Sequence, residues 1–342
     1  MHSHQTFGMY GILTKERAVR STLIPTIAGL LLLIFGGQSA RAQTYTVQSI
    51  SPTPDIGRVV SAASGDTVFR FAASNGAVSK VSGNGVRLDS TTTRATVTIK
   101  CSNSSLCPNP VTITVAAAAV TKRARALTNF TVTAGTGMTV GAVTGTGPTV
   151  FTLAGIPRNG TGTFHLGADL GIGDDTSGAT GATTAAFTVS TPTHSSSASA
   201  AANVFRTITI AQNSALGFGR IIRPSTGSNT VTVSESTGAR TISGAGNGGL
   251  FGGTVTRATY TVSGEGAQAF SISAPTTMTM TRSGGSETIT VNLVRSATSG
   301  TLSGTVGTAG TASFGVGGNL TVSSSTTPGS YSGTFNVTVQ YN

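Results

Sequence analysis

The sequence predicts an all-β protein built from two tandem antiparallel β-sandwich modules. Composition is the first indication: charged residues make up only 9%, against about 25% in an average globular protein, while β-branched Thr and Val abound and favour pleated positions. The second is strict period-two alternation, clearest in the final YSGTFNVTVQYN at 331–342, which is typical of a half-buried strand. The third is an internal repeat offset by about 160 residues, which indicates duplicated domains.

A cleaved signal peptide is predicted for residues 1–42. Its amino-terminal part is basic, and the apolar segment at 23–35 is shorter than the roughly 20 residues needed to span a bilayer. Ala40 and Ala42 form an A-x-A cleavage motif. The sequence leaves open whether the first methionine or Met9 is the start.

The predicted leader indicates export to the periplasm, the cell surface or the outside of the cell. No second long apolar stretch follows it, so we expect no membrane span in the mature chain. The full chain has a net charge of +11, and after the predicted leader its charged residues are scattered singly except in TKRAR at 121–125, which we interpret as a solvated loop. Because no aromatic residues for base stacking accompany this cluster, we expect no nucleic-acid partner.

Matching segments recur in the two halves of the remaining chain. GRVV at 57–60 matches GRII at 219–222, and TTTRATVTI at 91–99 matches TVTRATYTV at 254–262. The shared order and spacing indicate two copies of one module rather than a short-period solenoid. The predicted divisions are a divergent first module at 43–190, a Ser/Ala-rich linker at 191–203 and a second module at 204–342.

Short alternating strands separated by Gly-rich turns are predicted within each module. About seven to nine antiparallel strands per module suit a β-sandwich. The clearest predicted strands are Thr96–Ile99, Val111–Val115, Phe130–Val132, Val231–Val233, Tyr260–Val262, Phe270–Ile272, Ile289–Leu293 and Phe335–Tyr341.

No catalytic constellation is evident, and we expect no enzymatic activity, cofactor or metal. His165 and His194 are the only histidines after the leader, and the G-x-S-x-G motif is absent. The densest acidic group contains Asp169, Asp174 and Asp175. A polar turn between strands is the preferred interpretation of this group, and a weak calcium loop is the alternative.

The two cysteines, Cys101 and Cys107, lie in the segment CSNSSLC. In an exported chain they are expected to form a disulfide. So short a loop stabilises the fold by about 2 kcal/mol in the chain-entropy model.

The second module opens on TITIAQNSALGFGRI, with the aromatic-glycine pair Phe218-Gly219, and closes on the alternating segment Tyr331–Tyr341. In these segments it resembles the secreted bacterial family named domain of unknown function 4402. The first module departs from the pattern, since Ile56-Gly57 replaces the aromatic pair and its end reads AAFTVS. The resemblance implies an exported, immunoglobulin-like sandwich.

The C-terminal segment is also similar to that of chaperone–usher pilus subunits, with a penultimate aromatic residue and a glycine fourteenth from the end. In those subunits a chaperone, and later a neighbouring subunit, adds a strand beside this segment. The similarity implies self-association or chaperone binding here. The alternative is that the strand pairs within its own module, since no spare amino-terminal strand is evident. The predicted assembly residues are Gly329, Gly333, Phe335, Val337, Val339 and Tyr341.

Three functions follow from these observations. The leading hypothesis is an exported, non-enzymatic cell-surface or fimbria-like structural subunit, with an adhesive role. The second is a secreted module that binds a surface polysaccharide or another ligand, with Arg123 and Arg125 as contacts. The third is an enzyme whose site the sequence does not reveal.

Overall fold

A computed structural model describes residues 44–103 and 107–342. Within these residues the regular secondary structure consists of β-strands alone, and the strands form layered sheets. The predicted all-β sandwich class is therefore confirmed. The predicted leader, with Ala40 and Ala42, lies outside the described residues. No helix in the described part of the chain has the length and hydropathy to cross a membrane.

The described residues of the first module form thirteen strands, more than the seven to nine predicted, and the predicted strands extend beyond their predicted bounds. They are β1 (Tyr45–Ile50), β2 (Asp55–Val60), β3 (Thr67–Phe71), β4 (Val78–Ser82), β5 (Val86–Arg87), β6 (Ala95–Cys101), β7 (Val111–Val120), β8 (Thr128–Ala134), β9 (Thr139–Val140), β10 (Thr149–Ala154), β11 (Thr161–Ile172), β12 (Gly181–Ser190) and β13 (Ser195–Phe205).

These strands form two sheets that face each other. One has the order β1-β6-β11-β3-β4, with β8 also paired to β11, and the other has the order β5-β2-β13-β12-β7-β10-β9. Alternation places apolar side chains between the sheets, as in β6, where Ala95, Val97 and Ile99 are buried. Phe151 of one sheet meets Phe164 of the other edge to face, with ring centroids 5.2 Å apart.

The predicted linker at 191–203 is wrong for most of its length, because β13 occupies residues 195–205. This strand pairs antiparallel with β12 over ten residues and parallel with β2, a departure from the purely antiparallel expectation. Its small side chains have a linker-like composition, but Ala200, Ala202 and Val204 alternate into the core. The first module therefore extends to Phe205.

The second module also contains thirteen strands. They are β14 (Thr209–Ser214), β15 (Gly217–Ile222), β16 (Ser228–Val233), β17 (Arg240–Ser243), β18 (Gly249–Thr256), β19 (Ala258–Glu265), β20 (Ala269–Ser273), β21 (Thr277–Arg282), β22 (Thr288–Arg295), β23 (Ser299–Thr301), β24 (Ala309–Ser323), β25 (Tyr331–Ser332) and β26 (Thr338–Tyr341).

Its strands fall into one large sheet and two small ones. The large sheet has the order β14-β19-β24-β22-β21-β25, with β16 joining β24 to β17, and the small sheets are β15-β18 and β23-β20-β26. The long strand β24 pairs with β19 through its first half and with β16 through its second half. In the first module β11 pairs with β6 and β3 in the same way.

The predicted final strand Phe335–Tyr341 is only partly correct. Strand β26 covers Thr338–Tyr341, and residues 335–337 precede it without strand pairing. Its partner β20 ends at Ser273, which lies opposite Thr338, so the partner strand stops where the regular pairing stops. The other predicted strands lie within β6, β7, β8, β16, β19, β20 and β22.

Candidate functional site

The three carboxylates considered for calcium do not converge. Asp169 is paired with Arg70 at 2.6 Å. Asp174 accepts hydrogen bonds from Thr176 and Ser177, which lower the pKa of this carboxyl. Across the described residues no cluster of three His, Cys, Asp or Glu side chains could hold a metal ion.

The cluster TKRAR is only in part the solvated loop that its sequence indicates, since Lys122 and Arg125 are exposed but Arg123 is buried. Arg123 is only 1% exposed, and it contacts Asp175 at 2.8 Å and the Ser61 hydroxyl at 2.6 Å. Arg125 forms a bidentate ion pair with Asp66. The burial of Arg123 is inconsistent with the direct glycan contact expected of it.

Asp175 belongs to a polar network at the junction of the two modules. Burial alone would raise the pKa of Asp175, but hydrogen bonds led by those from Ser61 and Arg123 outweigh it and hold the pKa below its ordinary value. The other oxygen of Asp175 accepts the Thr207 N–H at 3.1 Å. Asp175 thus connects the core of the first module to the start of the second.

A second ion pair extends this network. Glu265 of β19 is fully buried and pairs with Arg206 at 3.1 Å. Its other oxygen accepts the Thr180 hydroxyl of the first module at 2.9 Å. Sequence reasoning missed this site because its members are far apart in the chain. A lone Glu in an otherwise uncharged strand, ATYTVSGE, was the available signal.

Tyr341 of the C-terminal strand lies at the same junction. Its hydroxyl accepts the Glu265 N–H at 2.7 Å and donates to the Arg206 carbonyl at 3.0 Å. Its ring packs on Phe205, the last residue of β13, with centroids 5.9 Å apart. Burial raises the pKa of Tyr341 to about 12.

The two glycines predicted to shape the C-terminal segment lie where neighbouring atoms leave little room for a side chain. Gly329 has φ of 154°, and a Cβ there would come 2.8 Å from Arg282 Cδ. A Cβ at Gly333 would come 2.3 Å from the Thr279 carbonyl. Both glycines therefore allow residues 329–333 to approach β21 closely.

The apolar side chains of this segment are only partly covered. Phe335, Val337 and Val339 pack against the second core but stay half-buried, and they alternate with exposed residues. Within the described residues β26 pairs with β20 alone. Its other edge therefore has no hydrogen-bonded partner strand among these residues.

A cavity of about 590 Å³ lies in the second module. Strand β15 lines it from Gly217 to Ile221, and residues 326–331 line another part. The apolar residues that line it include Met280, Ile289, Leu320 and Val322. On the neighbouring surface Ile222 is 55% exposed and Phe251 is 59% exposed, so this end of the module presents an apolar surface to solvent.

The remaining predicted groups have local roles. Cys101 and Cys107 form a disulfide with Cα atoms 6.1 Å apart, and residues 104–106 between them lie outside the described part. His165 lies 3.1 Å from the Thr96 hydroxyl, and His194 accepts the Val47 N–H at 3.2 Å. The two histidines therefore form separate contacts, each with a different strand.

Comparison with known families supports the interpretation of the second module. Residues 208–341 match the model of the family described as Domain of unknown function (DUF4402). The second module is therefore similar to this family, and the predicted resemblance is confirmed for these residues. A search of the curated proteins found no match. The similarity of the C-terminal segment to chaperone–usher pilus subunits stays a prediction.

Proposed function

We propose that the protein is an exported, non-enzymatic structural subunit of the cell surface, fimbria-like and adhesive, built from two immunoglobulin-like sandwiches. The observation that carries this proposal is the half-buried C-terminal segment from Phe335 to Tyr341. An apolar, one-sided edge strand is a template for pairing with another chain. A subunit that assembles with others has a use for such an edge.

The polar junction supports the same proposal. Arg206 and Thr207 follow β13 directly, and both are held by carboxylates of the network, Glu265 and Asp175. Two modules joined in this way present their outer surfaces in a fixed relation. A fixed relation suits a subunit that positions one end of an assembly relative to the other.

Export and assembly are tested together by producing the full chain with its own leader in a bacterial host. We expect the exported protein to begin at Gln43, to be accessible to protease on intact cells and to form large species in light scattering. A protein that keeps residues 1–42 would contradict the proposal. So would an exported protein that stays monomeric in light scattering when a chaperone or a further subunit is supplied.

A further inference from the structure

The two modules share most of one pairing scheme, and an interior strand of one sheet of the first module has no counterpart in the second. In the first module one sheet runs β5-β2-β13-β12-β7-β10-β9. In the second module β18 pairs with β15 as β5 pairs with β2, and β26 and β23 flank β20 as β12 and β10 flank β7. Residues 207–342, all of them described, supply no counterpart of β13. One sheet of the first module is consequently two small sheets in the second.

The residues on either side of the place that β13 occupies in the first module differ in burial between the two modules. In the first module Val59 of β2 and Val189 of β12 are fully buried. The corresponding residues of the second module, Ile221 of β15 and Val337 before β26, are only half-buried. Both walls of the position therefore lack a covering strand.

We propose that the position between β15 and the C-terminal segment accepts an extended β-strand from a separate polypeptide, parallel to β15 and antiparallel to β26. This inference rests on the proposed function and identifies the kind of partner the subunit takes. The evidence for the direction is β13 itself, which runs parallel to β2 and antiparallel to β12. Strand addition at a sheet edge gains affinity from main-chain hydrogen bonds and specificity from alternate side chains.

The inward side chains of the accepted strand are uncharged and apolar. Those of β13 are small, namely Ala200, Ala202 and Val204. The second module contains a cavity of about 590 Å³ beside β15, and apolar side chains form part of its lining. We therefore expect valine, isoleucine or leucine where β13 has alanine, because larger side chains fill this space.

The contacts of Asn342 indicate which end of the added strand connects to the rest of the partner. Asn342 donates its N–H to the Ala269 carbonyl and accepts at its own carbonyl from Arg58 of the first module at 3.0 Å. The amino end of a strand antiparallel to β26 lies at this crowded junction. Its carboxyl end lies beside the exposed Ile222, so the body of the partner follows the strand there.

Two synthetic peptides test the proposal on the purified chain without its leader. Both have the sequence of residues 195–205. One carries A198V, A200V and A202V, on the inward face, and its control carries S197V, S199V and A201V, on the outward face. We expect the inward peptide to bind about tenfold more tightly or better, and to slow amide hydrogen exchange at 217–222 and 335–341. Equal binding of both peptides, no binding, or protection elsewhere would overturn the proposal.

A pair of chain variants checks the location of binding. Ile221→Lys places a charge in the wall of the position, and Val294→Lys changes an apolar residue that is 43% exposed on β22. We expect the first to abolish peptide binding and the second to leave it unchanged, with circular dichroism verifying that both variants fold. Binding that survives Ile221→Lys would refute the assigned position.

The outcome separates this inference from the proposed function. Peptide binding is measured on the isolated chain, whereas export and assembly are measured in cells. Assembly without peptide binding would reject the strand-accepting position and keep the structural subunit. Peptide binding by a chain that is never exported would keep the strand-accepting position and reject the exported structural subunit.

Discussion

In the first module Phe69, Phe71, Phe151 and Phe164 are fully buried between two continuous sheets, whereas in the second Phe335 and the residues around it stay half-buried beside a divided sheet. The two modules pair their shared strands in the same way. The difference shows that a single strand, β13, decides whether such a core is covered. A module can thus keep the pairing scheme and leave part of its apolar interior accessible.

The largest expected effect compares equivalent aromatic residues. Phe187→Ala removes a fully buried ring in the first module, and we expect a loss of about 3–5 kcal/mol in the free energy of unfolding. Phe335→Ala removes its half-buried counterpart, for which we expect about 1–2 kcal/mol because less apolar area is lost. Denaturant titration followed by hydrogen exchange in each module measures both losses. Equal losses would show that the second core is as well covered as the first.

The second prediction concerns the polar junction. Glu265→Ala leaves Arg206 and Thr180 without their buried partner, and we expect a loss of about 3 kcal/mol. We also expect the two modules to unfold together in the unaltered chain and in two separate transitions in this variant. Calorimetry measures both changes.

The control for the junction is Glu287→Ala. Glu287 forms an ion pair with Arg282 on the surface of the second module, where solvent screens the interaction. We expect this variant to keep the single transition with little change in stability. A single transition in Glu265→Ala as well would show that the network does not couple the modules.

The third prediction uses the disulfide, which is present in the first module only. Replacing Cys101 and Cys107 by serine widens the range of unfolded conformations. In the Glu265→Ala background, where we expect the modules to unfold separately, the first module should lose about 2 kcal/mol. The second module, which has no cysteine, is the internal control. Module-resolved hydrogen exchange distinguishes the two, and an equal loss in both would show that the modules still unfold as one unit in that background.

The smallest expected effect is a pH dependence from Tyr341. Its pKa is about 12 in the folded chain and about 10 in an unfolded chain, so the unfolded chain releases the proton first. The stability linked to this group is complete below pH 10 and is lost as the pH rises towards 12.

Tyr341→Phe isolates this contribution. We expect the variant to lose less stability between pH 10 and pH 12 than the unaltered chain, although burial also raises the pKa of Tyr45 and Tyr260. Unfolding titrations across this range, with tyrosine ionisation followed by absorbance, measure the difference. Identical pH profiles would mean that the Tyr341 hydroxyl is not held in the junction.

Alternation predicted much of the fold. Strands such as β6 and β19 have β-branched residues that alternate with buried apolar ones, and both were predicted within two or three residues of their bounds. Strand β13 was missed because alanine and serine are as frequent in linkers as in tightly packed strands. The burial of Ala200 and Ala202 depends on the neighbouring strands β12 and β2, which the local pattern does not contain.

The candidate site was predictable only in part. The alternation before the chain end identified Phe335, Val337 and Val339, and the repeat identified the two modules for comparison. The open position between β15 and the C-terminal segment is recognised only by comparing the strand pairing of the two modules. A pattern within one segment of the sequence does not reveal it. The network around Glu265 joins residues separated by 59 and 85 positions, and no local pattern indicates such partners.

The course of β13 has a mechanical consequence. Only residues 206–208 separate it from β14, so tension applied to the second module passes directly into β13. That strand is held laterally by ten paired residues of β12 and by β2, and pulling along it loads all these hydrogen bonds in shear at once rather than one after another. The strand that closes the first module is thus also the one through which the protein would resist being pulled apart.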